Sequence, residues 1–217
     1  MTLEEAIAKI KPLDHNAMEI AQKRWDSIAK PLHSLGKLET LLIQIAGITG
    51  NAEVDLSRRG LIVMCADNGV VEEGVTQTGQ EVTAIVAENF LKYDTSVGVM
   101  CKQNHAEIFP VDMGMVTDTK VRTDHKIAYG TQNMTKGPAM TREQAVKGLE
   151  AGIDMVRELN DKGYRILATG EMGIGNTTTS SAVASVLLKQ PVEEMTGRGA
   201  GLTSEGLVRK INAIKKA

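Results

Sequence analysis

Apolar positions along the chain follow two different periods. In the glycine-poor first fifty residues, Trp25 and Ile28, then Leu41, Leu42, Ile45 and Ile48, recur at helical spacing. That predicts amphipathic helices, the first over 17–30 and closed by Pro31. From Arg59 onward, short continuous apolar runs appear at 61–66, 106–111 and 164–169, the pattern of strands buried on both faces. Pro110 sits best on an edge strand or near a strand end. Helical periods separate the runs. Val82, Ile85, Val86, Asn89 and Phe90 mark a helix over 81–93, and another is expected over 96–103. A capping box, Thr141-Arg142-Glu143-Gln144, opens a long helix whose buried face is expected at Ala145, Leu149, Ile153, Val156 and Leu159. Residues 117–137 have no clean period and read as a long loop, of the kind that binds substrate or another subunit. Strand and helix in alternation predict an α/β fold, a doubly wound parallel sheet of Rossmann-like type over 56–217, behind a small helical N-terminal segment over 1–55.

The third apolar run breaks at Gly170 into Gly170-Glu171-Met172-Gly173-Ile174-Gly175-Asn176-Thr177-Thr178-Thr179, followed by a helix beginning near Ser180. Strand, glycine loop and helix start in that order predict an anion site, because glycines let backbone N–H groups close on a phosphate and the helix dipole adds attraction. The spacing approaches the P-loop pattern, but Asn176 stands where that pattern needs lysine, and Thr178 fills the third glycine position of a dinucleotide fingerprint. A single-phosphate cradle with the carboxylate of Glu171 inside it remains, against the plainer alternative of strand-end glycines and capping threonines. A second cluster, Gly197-Arg198-Gly199-Ala200-Gly201, follows about twenty residues later, with Arg198 or Lys210 to supply the missing charge. Asp67 and Asn68 close the first apolar run, where ligands bind in open parallel sheets, although Asp-Asn-Gly is also a good turn.

Composition narrows the function. With 25 basic and 27 acidic residues the net charge is −2, so no polybasic surface for nucleic acid or anionic lipid is implied. Aromatic residues make up 3%, too few for a base-stacking platform, and the 11 methionines are expected to fill the core. Cys65 and Cys101 lack metal or disulfide spacing and read as buried thiols in a reducing cytosol. No metal ligand set appears, no signal peptide opens the chain, and no apolar run is long enough to span a membrane, which predicts a cytoplasmic globular protein.

Six ordered motifs add a resemblance. They are Lys30-Pro31…Ser34-Leu35-Gly36…Leu38-Glu39, Ala66-Asp67-Asn68-Gly69-Val70…Glu73-Gly74-Val75, Glu81-Val82-Thr83, Gly137-Pro138-Ala139-Met140, the loop at 170–178, and Gly197–Leu202. Together they resemble the nicotinate-nucleotide:dimethylbenzimidazole phosphoribosyltransferase family, from Lys30 to the end of the chain. The resemblance implies transfer of a phosphoribosyl group from nicotinate mononucleotide to a benzimidazole-type base, without a cofactor, in a homodimer. It implies that Gly173, Gly175, Asn176, Thr177, Thr178, Gly199 and Lys210 hold the ribotide phosphate, that Glu171 lies near the reacting centre, and that Asp67, Asn68, Thr78 and Val86 border the base pocket. Asn68 stands where the family usually has histidine, and Val86 where members selective for dimethylbenzimidazole tend to have glutamine. Family members also run well past residue 217, and the glutamate that serves as their general base lies in that portion. The implied alternatives are a transferase and a truncated, non-catalytic ribotide-binding or regulatory module.

Overall fold

The computed structural model describes residues 1–217, which divide into two compact units, Met1–Ser57 and Arg58–Ala217. In the first unit, α1 (Leu3–Ala8), α2 (His15–Ser27) and α3 (Lys37–Thr49) are joined by short turns. Thr2 opens α1 with a capping box, and Asp14 caps α2 by accepting from the Ala17 N–H at 2.9 Å. Glycine at 47 lets α3 lie against Met18 of α2. The turn between α2 and α3 is held by Lys30, which pairs at 2.9 Å with the buried Glu39 carboxylate. Glu39 also accepts from the Leu35 N–H at 3.0 Å. Lys30 and this N–H hold the Glu39 carboxyl below its ordinary range.

The second unit is built on three parallel strands in the order β2 (Ala106–Gly114), β1 (Arg59–Ala66), β3 (Ile166–Met172). Strand alternation divides the apolar run of β1 between two faces. Leu61, Val63 and Cys65 pack with Ala84, Ala87 and Phe90 of α4 (Glu81–Lys92) and Cys101 of α5 (Ser96–Gln103). Ile62 on the other face packs with Val111 of β2 and with Met155 and Leu159 of α6 (Arg142–Asp161). Helices on both faces of a parallel sheet make the doubly wound α/β arrangement expected from the alternation. Pro110 lies in β2, an edge strand, where its missing N–H costs no interior ladder bond. Cys65 and Cys101 are buried free thiols, and burial beside Asp112 pushes the Cys65 thiol up to about 12. No helix is long and apolar enough to cross a membrane.

After β3 come α7 (Asn176–Leu188), the single turn α8 (Val192–Met195) and α9 (Ser204–Lys216). α9 returns to the 3₁₀ turn at Gly69–Glu73, and its Ala213 joins Val70 and Val75 in a small core. Residues 117–137 carry neither helix nor strand. They pack against the sheet, where Val121 is buried, Ile127 N–H donates to Met113 O at 3.0 Å, and Lys126 pairs with the buried Asp112 at 3.1 Å. Ile127, Ala128, Gly130 and Thr131 line a cavity of about 310 Å³.

Helical faces were the least accurate expectation. Along α6 the buried residues are Ala151, Met155 and Leu159, whereas Leu149 and Val156 are 56% and 48% exposed. Along α4, Thr83, Ala84 and Ala87 are buried and Ile85 is turned outward. Small side chains at Thr83, Ala84, Ala87 and Ala151 let these helices sit close to the sheet, so an apolar scan that favours large residues places Phe90 and Leu159 correctly but misplaces Ile85, Leu149 and Val156.

Candidate functional site

The connection that follows β3 and the loop around Thr76–Thr78 converge on one cavity, and the local sequence explains how. β3 runs further than the glycine break suggested. Gly170, Glu171 and Met172 pair in register with Val63, Met64 and Cys65, because a long central partner outweighs glycine's poor strand propensity. Glu171 is therefore a strand residue, and the connection to α7 shrinks to Gly173–Gly175. Gly173 packs so closely that a Cβ would collide with the Ala66 carbonyl oxygen. Gly175, at φ +91°, is the cap residue, and α7 starts directly at Asn176. The threonines expected as loop and capping residues are thus in the first helical turn.

That start leaves polar groups facing a cavity of about 110 Å³ lined by Thr78, Gly175, Asn176, Thr177 and Arg198, among others. The second glycine cluster closes on it as expected. Gly199, at φ +58°, is so near Thr177 that a Cβ would stand 2.6 Å from the Thr177 hydroxyl. Gln77 donates to the Gly201 carbonyl and ties the loop around Thr76–Thr78 to that cluster. Arg198 donates to Leu202 O at 2.8 Å and Ser204 Oγ at 3.1 Å, so its guanidinium shapes the cluster from within.

Lys210 supplies the charge. Delivered from α9 and only 1% exposed, its Nζ donates to Thr177 Oγ1 at 2.8 Å and to Gly197 O at 3.1 Å. Both acceptors are neutral, no carboxylate pairs with it, and burial pushes its pKa down. A buried ammonium with a proton to spare, beside a helix N-terminus, is poised for an anion. Asn176 links this cradle to Glu171: its Nδ2 donates to Glu171 Oε1 while its Oδ1 accepts from Thr177 N–H at 2.7 Å. Glu171 is exposed, so its carboxylate is open to a ligand held by the cradle.

Thr178, Asp67, Asn68 and Val86 do not line this cavity. Thr178 is 0% exposed and its hydroxyl has no partner, because it lies on the inner side of the first turn of α7. Asp67 is 1% exposed; its Oδ2 accepts from Val116 N–H at 2.8 Å and so anchors the chain after β2, while its buried Oδ1 has no partner. Asn68 reaches inward to the Gly173–Gly175 connection, donating to Ile174 O at 3.0 Å. Val86 packs on the core cluster with Met172, outside the lining of the cavity that Thr78 borders. Two contributors were missed. Thr83 accepts from Ile174 N–H at 3.0 Å, and its signal was a polar residue at a buried helical position; Gln77 gave no signal short of the fold. A larger cavity, about 550 Å³, belongs to the N-terminal unit beside Trp25, Ile28 and Leu42 and holds none of these groups.

A parallel α/β unit here brings a two-sided glycine cluster, a buried lysine and a nearby carboxylate together beyond its strand ends. The sequence profile of a family described as "Phosphoribosyltransferase" matches residues 10–217, and the chain belongs to that family. It is similar to the nicotinate-nucleotide–dimethylbenzimidazole phosphoribosyltransferase of Ruminiclostridium cellulolyticum, 51% identical over all of this chain and 62% of that protein. The Clostridium tetani protein of the same name is 46% identical over 99% of this chain and 60% of its own length. A crystal structure of CobT from Thermus thermophilus superposes with a TM-score of 0.84 at 36% identity, covering 93% of this chain and 62% of that one. The chain therefore spans about three fifths of the length of these relatives.

Proposed function

We propose that this chain carries the donor-binding part of a nicotinate-nucleotide:dimethylbenzimidazole phosphoribosyltransferase, with the 5′-phosphate of nicotinate mononucleotide in the cradle. The observation that carries the proposal is Lys210, a buried ammonium held by Thr177 and Gly197 O without a counter-charge. A ribotide phosphate supplies that charge at the N-terminus of α7. Its ribose then extends toward Glu171. As the C1′–N bond to the pyridinium breaks, the electron pair leaves with nicotinate and positive charge grows on the sugar, where a carboxylate stabilises it electrostatically. The lone pair of a benzimidazole nitrogen forms the new C1′–N bond on the opposite face, and the base's N–H proton passes to a general base. The products are α-ribazole 5′-phosphate and nicotinate. Anchoring the phosphate makes the approach of base to ribose effectively intramolecular. A homodimer in the cytoplasm completes the reading, in keeping with free, buried Cys65 and Cys101.

The chain's share of its relatives' length favours a second reading for the isolated polypeptide, in which ribotide binds without turnover. Calorimetry with nicotinate mononucleotide and a product assay with added dimethylbenzimidazole separate the two. Binding with α-ribazole 5′-phosphate formation supports the transferase, and binding alone supports the second reading. Absence of binding sinks both.

A further inference from the structure

Two residues outside the cavity act on a single stretch of backbone. Ile174 lies between Gly173 and Gly175, and both of its backbone polar groups are taken by side chains from distant elements. Its N–H donates to Thr83 Oγ1 at 3.0 Å, and its carbonyl accepts from Asn68 Nδ2 at 3.0 Å. Thr83 is 0% exposed on α4, so its hydroxyl is in a fixed place. Asn68 is held in turn: Gln80 Nε2 donates to its carbonyl at 3.1 Å, and the Thr179 hydroxyl, which donates to Asn176 O at 2.9 Å, lies 3.4 Å from its Oδ1.

We propose that Asn68 and Thr83 are positioning residues that set the peptide planes on either side of Ile174 and so aim the phosphate-facing donors of the cradle. The proposal rests on the donor-site reading above. A trans peptide is planar, and its carbonyl and N–H point in opposite directions. The bond from Asn68 fixes the Ile174–Gly175 plane, so the Gly175 N–H faces away from Asn68. That N–H has no acceptor within the chain, and Gly175 lines the cavity with Thr177. The bond to Thr83 fixes the preceding plane, including the Gly173 carbonyl, which accepts from Asn176 N–H at 3.0 Å and starts α7. Glycine on both sides of Ile174 gives this backbone little stiffness of its own, so orientation must be imposed from outside. Aiming a donor in advance improves binding by sparing the ligand that ordering cost.

Ribose 5-phosphate and nicotinate mononucleotide serve as calorimetric probes on the 217-residue chain. Thr83→Val removes the acceptor at nearly constant shape, Thr83→Ser keeps it, Asn68→Ala removes the donor, and Asn68→Asp turns a carboxylate oxygen onto the Ile174 carbonyl. Losing one such bond is expected to weaken both ligands about tenfold. Asn68→Asp should lose at least as much as Asn68→Ala, while Thr83→Ser binds like the parent. The double variant Thr83→Val with Asn68→Ala should lose less than the product of the single effects, since both act on one backbone stretch. Exchange of the amides at 173–177 should quicken in Thr83→Val and Asn68→Ala, with thermal midpoints near the parent's. Unchanged binding in both of these variants overturns the proposal and leaves the donor site standing. Equal loss in Thr83→Ser and Thr83→Val overturns it too, because packing rather than the hydroxyl would then be responsible. If Thr83→Val does not fold, the Asn68 pair decides, and unchanged binding in Asn68→Ala overturns the proposal. A parent chain that binds neither probe removes the donor-site reading, and this proposal with it.

Discussion

An ammonium withdrawn from water onto two neutral oxygens is a cost to the unliganded protein, and Lys210 is in that position. Its lowered pKa states the same cost in another form. Lys210→Met should therefore fold at least as stably as the parent in thermal unfolding, while its affinity for ribose 5-phosphate falls by about tenfold to a hundredfold, the range for a charge-assisted bond. Equal affinity in the two proteins would show that Lys210 does not meet the phosphate. The pH dependence follows from the sign of the shift. Below the depressed folded pKa the lysine is charged in both folded and unfolded chains, so its penalty is fully present. As pH rises through the folded pKa the folded protein sheds the proton, while the unfolded chain keeps it up to the ordinary lysine value of 10.5. Over that window the penalty fades and the cradle loses its cation. Ribose 5-phosphate affinity should fall over that window as the lysine loses its proton. The alkaline fall should be absent from Lys210→Met.

At the scale of elements, the site depends on how closely β3 and α7 approach the end of β1. Gly173 sits against the Ala66 carbonyl with no room for a methyl group, and the obstacle is backbone that cannot swing away. Gly173→Ala is expected to destabilise the unit by roughly 2–3 kcal/mol in denaturant unfolding, through overpacking, and to abolish ribotide binding by displacing the start of α7. Retained binding would mean that the connection tolerates a shift of the helix. The strands, their order of use and the second glycine cluster were legible because apolar runs and glycines act locally. What escaped depends on partners remote in sequence. The continuation of β3 through Gly170 is set by β1, the inward turn of Asn68 by Ile174, and the burial of Asp67 by Val116. Thr178 shows a subtler limit: with the helix starting at Asn176 rather than near Ser180, its hydroxyl falls on the interior side of the first turn instead of in the cradle.

For the whole molecule, neither edge of the three-stranded sheet carries a further strand, and the β3 edge is the more exposed. β3 pairs with β1 and has no strand on its other edge, and β3 itself is largely exposed. Beyond it, α7 turns Val183, Val186, Leu187 and Leu188 outward at 57%, 76%, 75% and 60% exposure. An unpaired strand edge next to an apolar helix favours association, since both backbone donors and apolar surface await cover. The 217-residue chain should therefore bind a hydrophobic dye such as anilinonaphthalene sulfonate and should self-associate with rising concentration in light scattering. Lysine at positions 183 and 187 (Val183→Lys with Leu187→Lys) should reduce both signals. Ribose 5-phosphate binding should persist in that variant, because both positions lie beyond the first turn of α7 that faces the cradle. The relative from Ruminiclostridium cellulolyticum, of which this chain covers 62%, offers the comparison. Its additional length is expected to cover the equivalent face and to bind less dye per molecule than these 217 residues do. Equal dye binding by the longer protein, or no change in the double lysine variant, would place the adhesive surface elsewhere.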